Sequence, residues 1–204
     1  MRVGVFGGTF DPVHVGHIEP VEAAARRFGL ERVLYVPARV SPHKHNRKGP
    51  PAADPRHRVA MLALALAGRP SREILLDELD REPPSYTVET LRDLSARLLH
   101  DEIWLLMGTD TLAGLAGWKD PEEILRLARI AAFHREPFTG ERLRLPDVPG
   151  LRERLEVFDG GSFTISATDL RKDLSRGADV RGRVPGSVAE YITKHRLYRN
   201  GVAA

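Results

Sequence analysis

Short apolar runs alternate along this chain with segments whose apolar residues recur at helical spacing. Six runs have the length and composition of buried strands: RVGVFG, RVLYVPA, EILLDE, EIWLLMG, RIAAFHR and LEVFDG. Strands that are apolar on both faces and separated by helices are typical of a parallel sheet covered on both sides. The pattern therefore predicts an α/β fold with a Rossmann-like, doubly wound and mainly parallel sheet, helices on both faces and a C-terminal helical cap.

Capping residues and prolines mark the helix starts. The first helix is predicted to begin near His17 and to stop at Gly29, since EAAARRF consists of helix formers. Asp54-Pro55 precedes a second helix and Ser85 to Thr87 a third. Asp120-Pro121-Glu122-Glu123 is a predicted capping box ahead of a fourth.

The other segments are predicted loops and a C-terminal cap. Asn46 to Pro55 and Pro137 to Pro149 are loops by composition. VPGSVAEYITKHRLY predicts a capping helix that packs through Val188, Tyr191 and Ile192. We assign chemistry neither to this helix nor to the second loop, and we expect a single domain over residues 1–204.

Composition narrows the class of protein. The absence of cysteine excludes disulfides, thiolate zinc sites and a cysteine nucleophile. The net charge of +3 is a small excess, which does not indicate a nucleic-acid-binding surface. No apolar stretch approaches the ~18 residues of a membrane span, and a strand pattern that starts at residue 2 leaves no room for a signal peptide. We expect a soluble, cytoplasmic protein with neither nucleic-acid nor membrane partners.

Residues 7–17, GGTFDPVHVGH, join the first predicted strand to the first helix. Gly7 and Gly8 are expected to allow positive φ and the close approach of another group. The helix N-terminus that follows has free N–H donors and a partial positive charge, which suit an anion such as phosphate. Neither GxGxxG nor the GK[ST] ending of a P-loop is present, so a different phosphate chemistry is indicated.

Four other polar turns flank predicted strands and helices: SPHK, SYT, GTD and ISAT. In open α/β sheets, ligands bind beyond the carboxyl ends of the strands, where the winding direction reverses. We therefore expect these turns to converge with GGTFDPVHVGH on one crevice.

Taken in order, GGTFDPVHVGH, SPHK, SYTVETL, MGTDTL, GW and ISATDLR resemble the motifs of bacterial nicotinate mononucleotide adenylyltransferases, members of the HxGH nucleotidylyltransferase superfamily. The resemblance covers residues 2 to about 198. It implies transfer of AMP from ATP to nicotinate mononucleotide, giving pyrophosphate and the dinucleotide precursor of NAD. It also implies dependence on Mg²⁺, which we expect to enter with ATP, since no protein ligand for it is assigned. Homo-oligomerisation is left open.

The site residues fall into three groups. The residues with catalytic roles are His14, His17, Lys44 and Arg171. The residues around ATP are Gly7, Gly8, Thr9, Phe10, His14, His17, Gly108, Asp110, Ile165, Ser166, Thr168 and Arg171. The residues around nicotinate mononucleotide are Asp11, Lys44, Ser85, Tyr86, Thr87 and Trp118. By resemblance, Trp118 stacks on the nicotinate ring.

The chemistry explains why donors outnumber bases. The attacking group is a phosphate that is largely ionised at neutral pH, so it needs no general base. The requirement is to align two anionic phosphates and to neutralise developing charge. The free N–H groups near Ser85 to Thr87 suit a carboxylate better than an amide, because an amide –NH₂ cannot accept a hydrogen bond. The acid is therefore the expected acceptor.

Structural alternatives remain open for several of these residues. The two histidines could bind a metal or cap the helix. The others are a turn role for Asp11, a solvated loop around Lys44, an N-cap for Asp110, a core position for Trp118 and a solvent-facing Arg171. For the whole chain, the alternatives are another HxGH transferase, acting on phosphopantetheine, FMN or a cytidylyl group, a catalytically silent nucleotide-binding module, and a nucleic-acid-binding protein.

Overall fold

The computed structural model of the chain describes residues 1–40, 52–82, 84–134, 143–161 and 163–199. One six-stranded sheet runs through them, with the order β3-β2-β1-β4-β5-β6 and parallel pairing throughout. The strands are β1 (Arg2–Gly8), β2 (Arg32–Pro37), β3 (Arg72–Ile74), β4 (Glu102–Gly108), β5 (Arg129–His134) and β6 (Leu155–Asp159). This confirms the predicted doubly wound sheet, in which the winding direction reverses between β1 and β4.

Helices connect the strands and follow the last one. They are α1 (Val15–Phe28), α2 (Pro55–Leu66), α3 (Asp77–Asp80), α4 (Thr87–Arg97), α5 (Thr109–Leu112), α6 (Pro121–Leu127), α7 (Leu151–Arg154), α8 (Ala167–Ser175) and α9 (Gly186–Lys194), with a 3₁₀ turn at Leu115–Gly117. Over the described ranges, no helix is both long enough and apolar enough to cross a membrane.

The helix boundaries follow the predicted signals closely. Helix α1 begins at Val15, two residues before the predicted start, and ends at Gly29, which has a left-handed φ of 62°. Helix α2 follows Asp54, whose side chain accepts the N–H of Arg56 at 2.9 Å. Among the predicted loop residues, 52–54 and 143–149 form no helix or strand, and the remaining ones up to 142 lie outside the described residues.

Two predicted elements differ from the structure. In EILLDE only the first part is strand: β3 is short and pairs only with β2, and the acidic residues that follow form α3 instead. A short edge strand gains few ladder hydrogen bonds, and acidic residues favour the first turn of a helix. The capping box at Asp120 is also wrong, since Asp120 has a left-handed φ of 49° and makes no side-chain cap. Its carboxylate instead accepts a hydrogen bond from Arg92 at 3.0 Å.

Two hydrophobic clusters cover the two faces of the sheet. Alternate strand residues point to opposite faces, so each strand contributes to both clusters. Phe6, Tyr35 and Phe133 belong to the first cluster, together with α1, α2, α8 and α9. Val5, Leu34 and Leu105 belong to the second, together with α4 and α6. With both faces covered, the carboxyl ends of the strands remain for a site.

The C-terminal helix α9 caps the first cluster, as predicted. Val188 and Ile192 are buried there, and Tyr191 packs beside them with its hydroxyl 2.9 Å from Nδ1 of His57. The chain then turns back, with Arg196 and Tyr198 both in the left-handed region at φ of 53° and 64°. This reversal brings Tyr198 to the first glycine turn.

Candidate active site

A cleft of about 980 Å³ opens at the carboxyl ends of the central strands. Four of the five turns predicted to converge line it, and the fifth, which carries Lys44, lies outside the described residues. The predicted site residues that line the cleft are Gly7, Gly8, Thr9, Phe10, Asp11, His14, His17, Ser85, Tyr86, Thr87, Gly108, Asp110, Trp118, Ile165, Ser166, Thr168 and Arg171.

The cleft has two walls, one on each face of the sheet. The histidine wall adjoins the first cluster and comprises Phe10, His14, His17, Ser166 and Arg171. The tryptophan wall adjoins the second cluster and comprises Ser85, Tyr86, Thr87, Trp118 and Lys119. Lys119 is a lining residue that the sequence did not single out.

The glycine turn is shaped differently from the prediction. Gly7 and Gly8 do not have positive φ, and the residue of this turn that does is Phe10, at 51°. Gly8 is required because a Cβ there would lie 2.9 Å from the Phe10 ring. A Cβ on Gly7 would meet no described atom within 4 Å, so this glycine leaves its side of the cleft open for a ligand.

The two histidines are held by each other. His14 is the N-cap of α1, and its ring stacks on that of His17 with centroids 3.6 Å apart. Nδ1 of His17 accepts the backbone N–H of His14 at 3.3 Å. In the neutral ring this leaves the proton on Nε2, as a donor for a ligand. The capping interpretation therefore holds for one nitrogen of His17, and the other is free of that role.

Gly16 keeps the histidine pair in place. A Cβ at this position would lie 3.2 Å from Nδ1 of His14, which is tighter than ordinary contact. His14 is only 2% exposed, so its ring has little room to yield. The glycine of HxGH is therefore a packing requirement of the ring beside it.

Asp11 links three distant segments. It is 4% exposed, and its carboxylate accepts the N–H groups of Ala52 at 2.8 Å and Ala53 at 3.2 Å and the hydroxyl of Tyr198 at 2.8 Å. Burial, the nearby Asp11 carboxylate and this hydrogen bond raise the pKa of Tyr198 well above its ordinary value, so the hydroxyl remains a donor. A contact of Asp11 with substrate or hydrated magnesium stays a prediction.

Arg171 is fixed against the glycine turn. Its Nη1 donates to the carbonyl oxygen of Asp11 at 2.6 Å, and its Nη2 donates to Oγ1 of Thr168 at 3.4 Å. The solvent-facing alternative is therefore wrong, because the side chain is 28% exposed and anchored. Ser166 caps α8 by accepting the N–H of Thr168 at 3.2 Å. The starts of α1 and α8 thus meet in one wall, which suits anionic phosphate.

Arg58, which the sequence did not single out, joins the ends of β1 and β2. It projects from α2 and is 0% exposed. Its Nη1 donates to the carbonyl oxygens of Thr9 at 2.7 Å and Ala38 at 2.9 Å. Burial lowers the pKa of Arg58, and the nearby Asp11 carboxylate opposes that effect. The glycine turn is therefore held from below by a buried guanidinium.

The turn after β4 contributes Gly108 and Asp110. Gly108 is the N-cap of α5, so the N-cap alternative for Asp110 is wrong. Asp110 lies in the first turn of that helix and is exposed to the cleft. Its contact with ATP remains a prediction.

The tryptophan wall is built from the start of α4 and the turn before α6. Trp118 follows the 3₁₀ turn and is half-buried, packing on the second cluster while it lines the cleft. Tyr86 is the N-cap of α4, so the N–H groups of Thr87 and Val88 open that helix. Ser85 is buried and donates from its hydroxyl to the carbonyl oxygen of Glu78 at 3.3 Å.

A buried carboxyl group lies beneath this wall. Glu78 lines the cleft and accepts the hydroxyl of Thr90 at 2.8 Å. Burial raises the pKa of Glu78, against the opposing effects of Thr90 and Arg81. The acidic run that contains Glu78 resembled a strand end in the sequence, which concealed it.

No metal centre is formed by the part of the chain that the structure describes. Within it, no group of three or more His, Asp or Glu side chains could hold a metal ion. The carboxylate of Asp11, the acidic group nearest to the histidines in sequence, already accepts three hydrogen bonds. This argues against the metal-binding interpretation of His14 and His17 within the described ranges.

The fold and the cleft can now be compared with known proteins. The family model for cytidylyltransferase-like proteins matches residues 5–175, and the chain therefore belongs to the cytidylyltransferase-like family. Its curated relatives include proteins named probable nicotinate-nucleotide adenylyltransferase. The one from Roseiflexus sp. (strain RS-1) is 40% identical over 205 residues, covering 97% of this chain and 98% of the relative. The one from Thermus thermophilus is 39% identical over 199 residues, covering 98% and 100%.

A solved structure supports the fold independently. The Plasmodium falciparum nicotinic acid mononucleotide adenylyltransferase, complexed with NaAD, aligns with a TM-score of 0.74 over 97% of each chain. The two sequences are only 16% identical. The similarity therefore concerns the fold.

Proposed function

We propose that this chain transfers AMP from ATP to nicotinate mononucleotide, giving nicotinate adenine dinucleotide and pyrophosphate for NAD synthesis. The observation that carries the proposal is a single cleft with phosphate-binding groups on one wall and Trp118 beside a helix N-terminus on the other. The full-length relatives of the same name support it. In this proposal residues 1–204 act as one domain.

The reaction is a direct displacement. An oxygen of the mononucleotide phosphate attacks the α-phosphorus of ATP, while the bond from that phosphorus to the bridging oxygen breaks and pyrophosphate leaves. The attacking phosphate is already ionised at neutral pH, so the residues of the chain position the groups and stabilise charge.

The histidine wall is assigned to ATP. His17 donates from Nε2 to the α-phosphate, and His14 and Arg171 stabilise the charge of the leaving pyrophosphate. The starts of α1 and α8 add N–H groups and partial positive charge. Lys44, from the segment outside the described residues, keeps its assignment as a phosphate contact. Mg²⁺ bound to the phosphates of ATP supplies further charge neutralisation.

The tryptophan wall is assigned to the acceptor. The ring of Trp118 stacks on the pyridine, and the N–H groups that open α4 at Thr87 and Val88 receive the carboxylate. Such N–H groups bind a carboxylate more strongly than a neutral amide. The proposal therefore includes preference for the acid over nicotinamide mononucleotide.

The test is pyrophosphate release from ATP and Mg²⁺ with nicotinate mononucleotide, nicotinamide mononucleotide or phosphopantetheine in parallel. Strong turnover with the first acceptor and weak turnover with the others is expected. Turnover with phosphopantetheine alone would keep the phosphate assignment and reject the acceptor site. No turnover with any acceptor, from folded protein, would reject the enzyme.

A further inference from the structure

An ion pair stands at the edge of the tryptophan wall. Nζ of Lys119 donates to Oε1 of Glu89 at 2.7 Å and lies 4.5 Å from the centroid of the Tyr86 ring. Lys119 lines the cleft directly after Trp118, whereas Glu89 is absent from the lining. The pair therefore places its cation on the cleft side.

Glu89 occupies a position that affects an anionic ligand. It is the acidic residue in the first turn of α4, whose N-terminal N–H groups are the proposed carboxylate site. An acid in the first turn interacts with the same partial positive charge that a bound carboxylate would use. Without a counter-charge, Glu89 would also repel that carboxylate.

Lys119 supplies the nearest counter-charge. Another cation, Arg81, lies 4.0 Å from the second oxygen of Glu89, but its Nη2 donates to Asp93 at 2.7 Å and Arg81 does not line the cleft. Among the lining residues that the structure describes, the other Lys or Arg is Arg171, on the opposite wall. The hydrogen bond to Glu89 raises the pKa of Lys119, which keeps the amine charged at neutral pH.

We propose that Lys119 and Glu89 together set the preference for an acidic over an amide acceptor. Lys119 cancels the repulsion from Glu89 at the start of α4 and presents a positive charge beside Trp118. An anionic pyridine carboxylate gains from both effects, and a neutral amide gains little from either. The inference rests on the proposed function, since it concerns the acceptor of that reaction.

The test compares kcat/KM for the acid and amide mononucleotides, at saturating ATP, in wild type and in Lys119→Met. Methionine keeps much of the apolar stem of lysine and removes the charge. The acid-to-amide ratio is expected to fall roughly three- to tenfold, as for the loss of one partly exposed charge contact. The change should reside in the KM of the acid, with the KM of ATP unchanged.

A double variant separates charge balance from packing. Glu89→Gln alone should keep or raise the acid-to-amide ratio, because it removes the repulsive group. Lys119→Met combined with Glu89→Gln should return the ratio to within about twofold of wild type. The matched control is Lys172→Met, which removes an exposed lysine paired with Asp169 at 3.4 Å, outside the cleft lining.

Three outcomes overturn the inference. An equal loss for both acceptors in Lys119→Met would make Lys119 a packing residue, and a double variant as impaired as Lys119→Met would remove Glu89 from the account. An unchanged ratio, with wild type active on the acid, would reject this inference and keep the proposed function. A wild type inactive on the acid would reject both.

Discussion

The two walls of the cleft are built in different ways. Phe10, Asp11 and His14 on the histidine side are each at most 4% exposed and are locked by contacts from remote segments. Lys119 on the tryptophan side is 41% exposed and is held by a surface ion pair and an aromatic ring. Phosphate chemistry, which demands exact alignment of charge, is thus tied to the core, whereas acceptor choice depends on side chains near the surface.

This difference predicts how the walls respond to substitution. Changes on the histidine wall should act on kcat, because the groups there contact the reacting phosphates. Changes on the tryptophan wall should act on the KM and the choice of the acceptor. Each expected result below would be lost if the two walls shared one role.

The largest effect is expected from His17→Ala. The variant removes the Nε2 donor at the α-phosphate, and kcat should fall about 10²- to 10³-fold, as for the loss of one transition-state donor. Steady-state pyrophosphate release and thermal melting are measured together, and the Tm should stay within a few degrees of wild type. His100→Ala, an exposed histidine elsewhere, is the control and should be neutral. An unfolded or fully active His17→Ala protein would make the residue structural.

Trp118→Ala should have the next largest effect, confined to the acceptor. Loss of the stacking surface should raise the KM for nicotinate mononucleotide about tenfold, since stacking on an aromatic side chain contributes ~1–3 kcal/mol. The KM for ATP should not change. The contrasting variant is Trp104→Phe, in a core ring stacked on Phe28 at 4.8 Å, which should lower the Tm without altering either KM. A Trp118 variant that lost stability but kept its KM would be a core residue.

The sequence predicted the parts of this molecule whose signals are local. The order of apolar runs specified the sheet, and the motifs around His14, His17 and Arg171 identified the residues that line one wall. HxGH carries its own geometry, because three residues of helix bring two imidazoles into a stack. Such features need no knowledge of distant contacts.

Features that depend on distant contacts were missed. Asp11 and Tyr198 are 187 positions apart in the chain, and no local pattern announces that they meet. Arg58 belongs to an ordinary helical segment, and only tertiary packing turns it inward. Likewise the glycine turn was expected to strain at its glycines, whereas the packing of the Phe10 ring places positive φ on Phe10 itself.

Tyr198→Phe tests whether the C-terminal segment serves the histidine wall. Removing the hydroxyl leaves the buried Asp11 with one donor fewer, and Arg171 leans on the same residue. We expect kcat to fall about threefold and the Tm by ~2–4 °C, since one hydrogen bond contributes ~1 kcal/mol. Tyr191→Phe is the matched control, because that hydroxyl contacts His57 instead. It should lower the Tm to a similar extent and leave kcat unchanged. Equal kcat losses in both variants would remove the link to the site.

The smallest effect concerns the buried Glu78 beneath the tryptophan wall and is seen in stability. Its folded pKa is raised by burial above the ordinary value of 4.5, so the folded state binds this proton more strongly than the unfolded state. Wild-type stability should therefore fall as the pH rises from about 4.5 through the folded pKa, and this contribution should be constant above it.

Glu78→Gln removes that ionisation and keeps an acceptor for Thr90. Melting curves of both proteins between pH 4 and pH 8 should show the Tm of the variant gaining on wild type by ~2–4 °C across that window, as ~1 kcal/mol would produce in a chain of this size. A difference that did not change with pH would mean that Glu78 ionises as it would in water. The tryptophan wall would then be shallow throughout, without a buried acid at its base.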